Sequence, residues 1–152
     1  MKRFILLAIM LLPVSLMAQI PQFSKLAEKY SDNEAVTCMT INKQMMTMFA
    51  GENEMIENLS EIEIIVTKDA AIARKVLDDT NKIVKKIDTK ELISVNEDGE
   101  KFTIYTIAQN GNITNIIIAI DCTADEGESG VIVVSGNIPE EKLGEVVQIV
   151  NQ

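Results

Sequence analysis

Five methionines lie within or beside the segment NKQMMTMFAG of residues 42–51. They are Met39, Met45, Met46, Met48 and Met55. Soft thioether sulfurs select Cu(I), so a cluster of this kind in an exported protein can hold copper. Methionine also fills irregular gaps in hydrophobic cores, and it is over-used at surfaces that bind several partners. This short stretch therefore has three possible interpretations: a copper site, part of the hydrophobic core, or a binding surface.

The spacing of these methionines favours a core position over a metal site. A short helix predicted over 43–50 places Met45 and Met48 one turn apart, while Met46 points elsewhere and breaks up a cluster of three thioethers. The chain has no histidine to complete a copper site. We therefore predict that Met45 and Met48 form the buried side of this helix. An adaptable contact surface that includes Met46 is the alternative, and copper handling is a third.

The acidic segment DCTADEGESG carries a second set of ligand atoms. Asp121, Asp125, Glu126 and Glu128 could supply oxygens to Ca²⁺, but their spacing does not match the twelve-residue calcium-binding loop. Polar residues and glycines are also what a solvated connection between two strands requires. We expect such a connection and no metal, with calcium as the weaker alternative.

The two cysteines, Cys38 and Cys122, could form a disulfide if the chain is exported. A bridge that closes so long a loop would stabilise the fold by about 4–5 kcal/mol in the chain-entropy model. The alternative is two buried free thiols, because free cysteine is among the most buried residue types. Cys38 is predicted in the middle of a strand, which suits a structural thiol better than an exposed nucleophile.

Catalysis has little support in the residue types present. Without histidine, the chain lacks the commonest acid–base residue and any histidine-based triad. Glu61 and Glu63 share one face of a predicted strand, where we expect them to face solvent as partners of nearby lysines. The sequence thus favours a protein that is not an enzyme and has no cofactor. A hydrolase or transferase that uses carboxylates, such as Glu61 or Asp121, is the alternative.

The N-terminus, MKRFILLAIMLLPVSLMAQ, has the order of features typical of a secretory signal peptide. Lys2 and Arg3 precede an apolar run too short to span a bilayer, and Ala18 is small enough to precede a cleavage site. We expect a signal peptide over 1–18 and a single domain over 19–152. No cysteine lies at the end of the apolar run for lipid attachment. The predicted protein is therefore exported, soluble, periplasmic or extracellular, and not a lipoprotein.

The net charge narrows the class of partner. The formal charge is −9, and removal of Lys2 and Arg3 with the signal peptide takes it to −11. Such a chain repels phosphate backbones and anionic lipid headgroups, so nucleic acid is a poor partner. No stretch after residue 18 is long and apolar enough to cross a membrane.

The hydrophobic periodicity predicts an α+β fold with a largely antiparallel mixed sheet of about six strands and helices packed mainly on one face. Helices are predicted over 21–30, 43–50 and 53–59, from Asp69 through Ile87, and over 139–150. Strands are predicted over 35–41, 61–66, 92–96, 101–108, 113–120 and 131–135. Asp98-Gly99 and Asn110-Gly111 predict tight hairpin turns, and the apolar run at 116–120 predicts a central strand.

Several segments together resemble a known family. They are TINKQMMTMFAG, EIEIIV before a long helix, ELISVNEDGEKFTIYTIAQNGNITNIIIAI, and VIVVSGNIPEEKLGEV. With the N-terminus they look like the domain of unknown function 4252, found in exported proteins of Bacteroidetes, over residues 23–150. The resemblance implies a fold and a bacterial group, with only a loose association with envelope or stress-regulated functions. It implies no activity and no catalytic residues.

With catalysis, metal binding and nucleic-acid binding disfavoured, the sequence predicts a small, acidic, exported domain that acts by binding. The expected partner is another envelope protein, or a peptide or small ligand held between the sheet and the helices. The carboxylate-based enzyme and methionine-based copper handling are the alternatives.

Overall fold

The computed structural model describes residues 20–51 and 53–144, except for the side chain of Met55. The predicted signal peptide lies outside the described residues, as do residues 145–150 of the last predicted helix. None of the helices in the described ranges is long and apolar enough to span a membrane.

The described chain contains four α-helices and six strands. The helices are α1 (Pro21–Tyr30), α2 (Lys43–Ala50), α3 (Glu54–Glu57) and α4 (Ala70–Lys86). The strands are β1 (Val36–Asn42), β2 (Leu59–Thr67), β3 (Lys90–Glu97), β4 (Glu100–Gln109), β5 (Asn112–Asp121) and β6 (Ser129–Pro139). Short 3₁₀ turns cover Thr123–Asp125 and Glu140–Lys142.

All six strands belong to one open sheet in the order β1-β2-β6-β5-β4-β3, and every neighbouring pair is antiparallel. This confirms the predicted α+β class. β5 pairs with β4 and β6, and Ile116, Ile117 and Ile118 are almost completely buried within it. The prediction of a central strand there is also confirmed.

The meander from β3 to β5 is made by two tight turns. Asp98 and Gly99 in the first, and Asn110 and Gly111 in the second, all have positive φ angles. Asparagine, aspartate and glycine tolerate this region better than other residues, and the primed hairpin turns require it. Both predicted hairpins are confirmed.

The two long helices, α1 and α4, cover one face of the sheet, which we call the long-helix face. Asp69 caps α4, because its carboxylate accepts a hydrogen bond from the backbone N–H of Ile72 at 3.0 Å. The buried core of this face consists of Ile20, Phe23, Leu26, Tyr30, Val36, Ile65, Val76, Val84, Ile117, Val131 and Val133.

The opposite face carries α2 and α3, and we call it the short-helix face. Successive strand residues point to opposite faces, so Ile116 and Ile118 belong here while Ile117 belongs to the other face. The buried core of this face consists of Met46, Leu59, Ile104, Ile113, Ile116, Ile118, Val134 and Ile138. The sheet therefore has a hydrophobic core on each side.

The end of β6 differs from the prediction. Pro139 was expected to begin the last helix, but it is the final residue of an eleven-residue strand. Ile138 pairs with Ile113 of β5, so the tertiary ladder extends the strand beyond its local signal. A 3₁₀ turn follows, and Leu143 packs against the core of the short-helix face.

Candidate functional site

The helix that carries the methionines is fixed at both ends by local interactions. The side chain of Asn42 accepts a hydrogen bond from the backbone N–H of Met45 at 2.9 Å. Gly51 ends the helix with φ +69°, and its N–H donates to the carbonyl of Thr47 at 3.0 Å. The predicted bounds of α2 are confirmed, and its side chains are held on an ordered element.

The predicted orientation of the methionines is wrong. Met46 is the buried one, with 7% of its surface exposed, and it packs into the core of the short-helix face. Met45 is 38% exposed, Met48 is 77% exposed and Phe49 is 81% exposed. At 100° per residue the apolar residues of this helix fall on one side centred near Phe49, with Met46 away from that centre, so the hydrophobic periodicity indicates the wrong residues for burial. Packing of α2 against β1 and β2 buries the side of the helix that carries Met46.

Met45, Met48 and Phe49 share one side of α2 because they are three and four positions apart, and we group them with the exposed Met39 of β1 as the methionine patch. Met39 is 49% exposed. It lies two positions before Ile41, which packs against the core of the short-helix face, so both side chains are on that face. Exposed methionines and an aromatic ring on an ordered element are typical of adaptable protein-binding surfaces. Met46 points away from Met45 and Met48, and this part of the prediction is confirmed.

A second apolar strip lies at the far edge of the same sheet face. Leu92, Ile93 and Val95 of the edge strand β3 are 40–44% exposed. Ile93 and Val95 pair with Ile104 and Phe102, which belong to the short-helix face. A cavity of about 400 Å³ lies beside Leu92, with Leu143 in its lining.

The cysteines are free thiols, so the possible disulfide is not formed and the alternative of two free thiols is confirmed. Cys38 lies on β1, and Cys122 directly follows β5, three strands away in the sheet order. With neighbouring strands about 4.8 Å apart, about 14 Å separates them, which is beyond the ~7 Å Cα limit for a disulfide. Burial raises the pKa of both thiols, and the nearby carboxylates of Glu100, Asp121 and Asp125 raise that of Cys122 further. Neither is an activated nucleophile.

The acidic loop after β5 is stabilised by its own hydrogen bonds. One carboxylate oxygen of Asp121 accepts from the backbone N–H of Thr123 at 3.1 Å and from its hydroxyl at 2.7 Å. The candidate ligands Asp125, Glu126 and Glu128 are exposed on the turn that follows. Residues 20–51 and 53–144 contain no group of three or more histidine, cysteine, aspartate or glutamate side chains that could hold a metal ion. The calcium alternative has no support in this arrangement.

A cleft of about 310 Å³ between α1 and the β1–β2 edge, which we call the acidic cleft, is a site that the sequence reading did not identify. Its lining includes Ser24, Cys38, Glu61 and Glu63. Glu63 is only 5% exposed, and the hydroxyl of Ser24 donates to its carboxylate at 3.3 Å. Burial raises the pKa of Glu63, the negative charge of Glu61 raises it further, and the hydrogen bond from Ser24 partly offsets both effects.

This geometry corrects the expectation for the two glutamates. They share a strand face, as predicted, but Glu63 is under α1 and not in solvent. Asp121, the other carboxylate considered for catalysis, lies at the end of β5 and outside the acidic cleft. The one local signal of this burial is that Glu63 shares a strand face with the apolar Ile65. Its partner Ser24 comes close only when α1 packs on the sheet, and this contact cannot be seen in the sequence.

One family is similar to this chain over most of its length. The family is described as Domain of unknown function (DUF4252), and its sequence model matches residues 30–146. The chain belongs to this family. No curated protein and no solved structure matches it. The matched range of the DUF4252 domain runs from the end of α1 through β6, so it includes the methionine patch and most of the acidic cleft.

Proposed function

We propose that this protein is an exported component of the cell envelope that acts as a non-catalytic binding module, with the methionine patch as its contact surface. The observation that carries the proposal is the exposure of Met48 and Phe49, at 77% and 81%, on a helix capped at both ends. Exposing large apolar side chains to water is unfavourable, and several such side chains on one side of a helix are typical of a protein-binding site. The signal-like N-terminus supports the envelope location.

The chemistry of the patch indicates the kind of partner. Methionine is unbranched and polarizable, so it adapts to apolar surfaces of different shape. Phe49 supplies an aromatic side chain of the type enriched at the centre of protein interfaces. The expected partner is therefore another envelope protein, or a peptide of it, with an apolar anchor. A second apolar area, the strip of Leu92, Ile93 and Val95, lies at the opposite edge of the same sheet face.

The test is crosslinking in the native envelope with a tagged protein, compared with the double variant Met48→Gln/Phe49→Gln. Both side chains are exposed, so the variant should keep its circular dichroism spectrum and lose the crosslinked partner. The matched control is Ile93→Gln/Val95→Gln, which makes the same kind of change at the other edge. If the partner is kept by the first variant and lost by the control, the contact lies at β3 and the proposed location is wrong.

A second candidate function is supported by the acidic cleft. A buried carboxyl of raised pKa beside a second carboxylate is the arrangement by which one group acts as an acid and the other as a base. A carboxylate-based hydrolase or transferase would need Glu63 as the acid and Glu61 as the base. Turnover of an ester, glycoside or peptide that is lost in both Glu63→Gln and Glu61→Gln would support it. Turnover that survives both changes would remove it.

A further inference from the structure

The charges of the protein are distributed very unevenly. Helices α1 and α4 together carry seven lysine or arginine residues and three acidic ones, an excess of four positive charges. The rest of the described chain carries five basic and eighteen acidic residues, an excess of thirteen negative charges. The seven cations are Lys25, Lys29, Arg74, Lys75, Lys82, Lys85 and Lys86. The negative net charge predicts repulsion from anionic surfaces. It does not reveal that α1 and α4 form a basic region.

All seven cations are exposed. In α4 the buried residues Ala73, Val76, Thr80 and Val84 define the inner side, and at 100° per residue the five cations of this helix fall on the outer half. In α1, Lys25 and Lys29 are one turn apart. They line a groove between the two helices together with Lys82 of α4. We call this outer surface of α1 and α4 the basic helical face.

Internal neutralisation of the basic helical face is limited. Lys29 donates to Asp79 at 2.7 Å, and among the described residues it is the one cation of the seven that forms a salt bridge. The hydroxyl of Tyr30 also donates to Asp79, at 3.0 Å, so this acid is engaged twice. Lys82 also interacts electrostatically with Asp79, and the exposed Asp78 lies on the same outer half of α4, so the excess positive charge of the other cations is what is directed to solvent.

The same face lacks the features of a protein interface or a nucleic-acid site. The large apolar side chains that are exposed in the described chain all lie in β1, α2 and β3. The basic helical face thus offers no buried anchor of the kind that dominates protein–protein affinity. Its aromatic residues, Phe23 and Tyr30, are buried, so neither is available to stack on a base. A broad basic surface without anchors fits diffuse attraction to a layer of negative charge.

We propose that the basic helical face binds the anionic phosphate headgroups of a membrane surface. A helix of seventeen residues is about 25 Å long, so the face can contact several headgroups at once. The acidic remainder of the molecule is repelled by the same surface and therefore orients it. The methionine patch lies on the opposite side of the sheet, so the membrane-bound protein leaves that patch open. This proposal goes beyond the binding module proposed above and stands independently of it.

The test is co-sedimentation of the purified protein with vesicles of phosphatidylglycerol and phosphatidylcholine, compared with vesicles of phosphatidylcholine alone. We expect binding to the anionic vesicles only, lost at about 0.5 M salt because screening shortens the Debye length to a few ångströms. The variant Lys75→Glu/Lys82→Glu/Lys86→Glu should lower the partition coefficient at least about tenfold. The control Lys43→Glu/Lys68→Glu/Lys101→Glu changes the total charge equally at exposed sites outside the two helices and should bind almost as well as the parent.

Three outcomes would overturn the proposal. Equal partition into anionic and neutral vesicles would show that headgroup charge is not recognised. An equal loss in both triple variants would show that net charge, and not this face, controls the interaction. Binding of soluble polyphosphate or DNA without binding of anionic vesicles would assign the face to a free phosphate polymer. None of these results depends on a protein partner, so they can be separated from a failure of the methionine patch.

Discussion

The two faces of the sheet are covered to different extents. On the long-helix face, a ten-residue helix and a seventeen-residue helix lie over the strands, and the edge strand β1 contributes the buried Val36. On the short-helix face, helices of eight and four residues accompany a core on the central strands, while Met39 and Ile93 at the two edges are about half exposed. One face is closed by its helices and presents charge. The other presents apolar side chains.

The two faces therefore differ in how much apolar surface they bury and how much they expose. Burial of apolar area supplies most of the free energy of folding, so the long-helix face is organised for stability. The exposed apolar side chains of the short-helix face contribute less to folding and are available for contact with a partner. The same type of substitution, made once at a buried position and once at an exposed one, should separate folding from partner contact.

The largest effect is expected in the core of the long-helix face. Ile117→Ala should lower the free energy of unfolding by about 2–5 kcal/mol, because Ile117 is fully buried and its loss leaves a cavity. The same change at Ile93, which is 44% exposed, should cost less than about 1 kcal/mol. Urea unfolding of both variants measures the contrast. Equal costs would mean that the edge of the short-helix face is as well packed as the core.

A second contrast lies within a single helix. Met46→Ala should lower the free energy of unfolding by about 2 kcal/mol, near the low end for buried methionine, because α2 is short. Met48→Ala should change it by less than about 0.5 kcal/mol, because its side chain is in solvent. Thermal unfolding of the two variants gives the comparison. A larger loss at Met48 would restore the predicted buried side of the helix and remove the methionine patch.

The third prediction concerns pH and the acidic cleft. The pKa of Glu63 is raised in the folded state, first by burial and then by Glu61. Its contribution to stability is therefore full below the ordinary glutamate pKa and is lost as the pH rises through the raised value. Glu63→Gln should be more stable than the parent protein at pH 8, and the difference should disappear at acidic pH.

The control for Glu63 is Glu28→Gln, which removes an exposed carboxylate from the same cleft. Urea unfolding at several pH values should show the pH-dependent gain for Glu63→Gln alone. A gain of equal size in both variants would indicate relief of general charge repulsion, and not the burial of one carboxylate.

The smallest effect is expected between the two long helices. Burial alone would raise the pKa of Asp79, but hydrogen bonds from Lys29 and Tyr30 outweigh it and hold the pKa below its usual range. Asp79→Asn should cost less than about 1 kcal/mol at neutral pH, since the pair is partly solvated. The cost should vanish as the pH falls through the lowered pKa, because the parent then loses the same charge.

The neighbouring change Asp78→Asn is the matched control for Asp79, since Asp78 is exposed on the same helix. It should leave the free energy of unfolding nearly unchanged at every pH. If the two variants behave alike, the contacts of Asp79 with α1 contribute nothing to the closure of the long-helix face.

The elements with strong local signals were the predictable ones. Pro21 at the start of α1, Asn42 and Gly51 around α2, and the two hairpin turns act within a few residues, so their positions follow from the chain itself. The extension of β6 to Pro139 could not be predicted in this way, because its last residues adopt a strand conformation only through their pairing with β5. The acidic cleft was missed for a similar reason: Ser24 and Glu63 are 39 positions apart and meet only when α1 lies on β2.

Periodicity, caps and turn residues are local properties, so the class of the fold, most element boundaries and the family follow from the sequence alone. Tertiary structure alone decided three features: which methionine of α2 is buried, that the cysteines lie three strands apart, and that the cations gather on one surface. The physical reason is the same in each case. Orientation and proximity arise from packing between elements that are distant along the chain, and the free energy of that packing is not contained in any single segment.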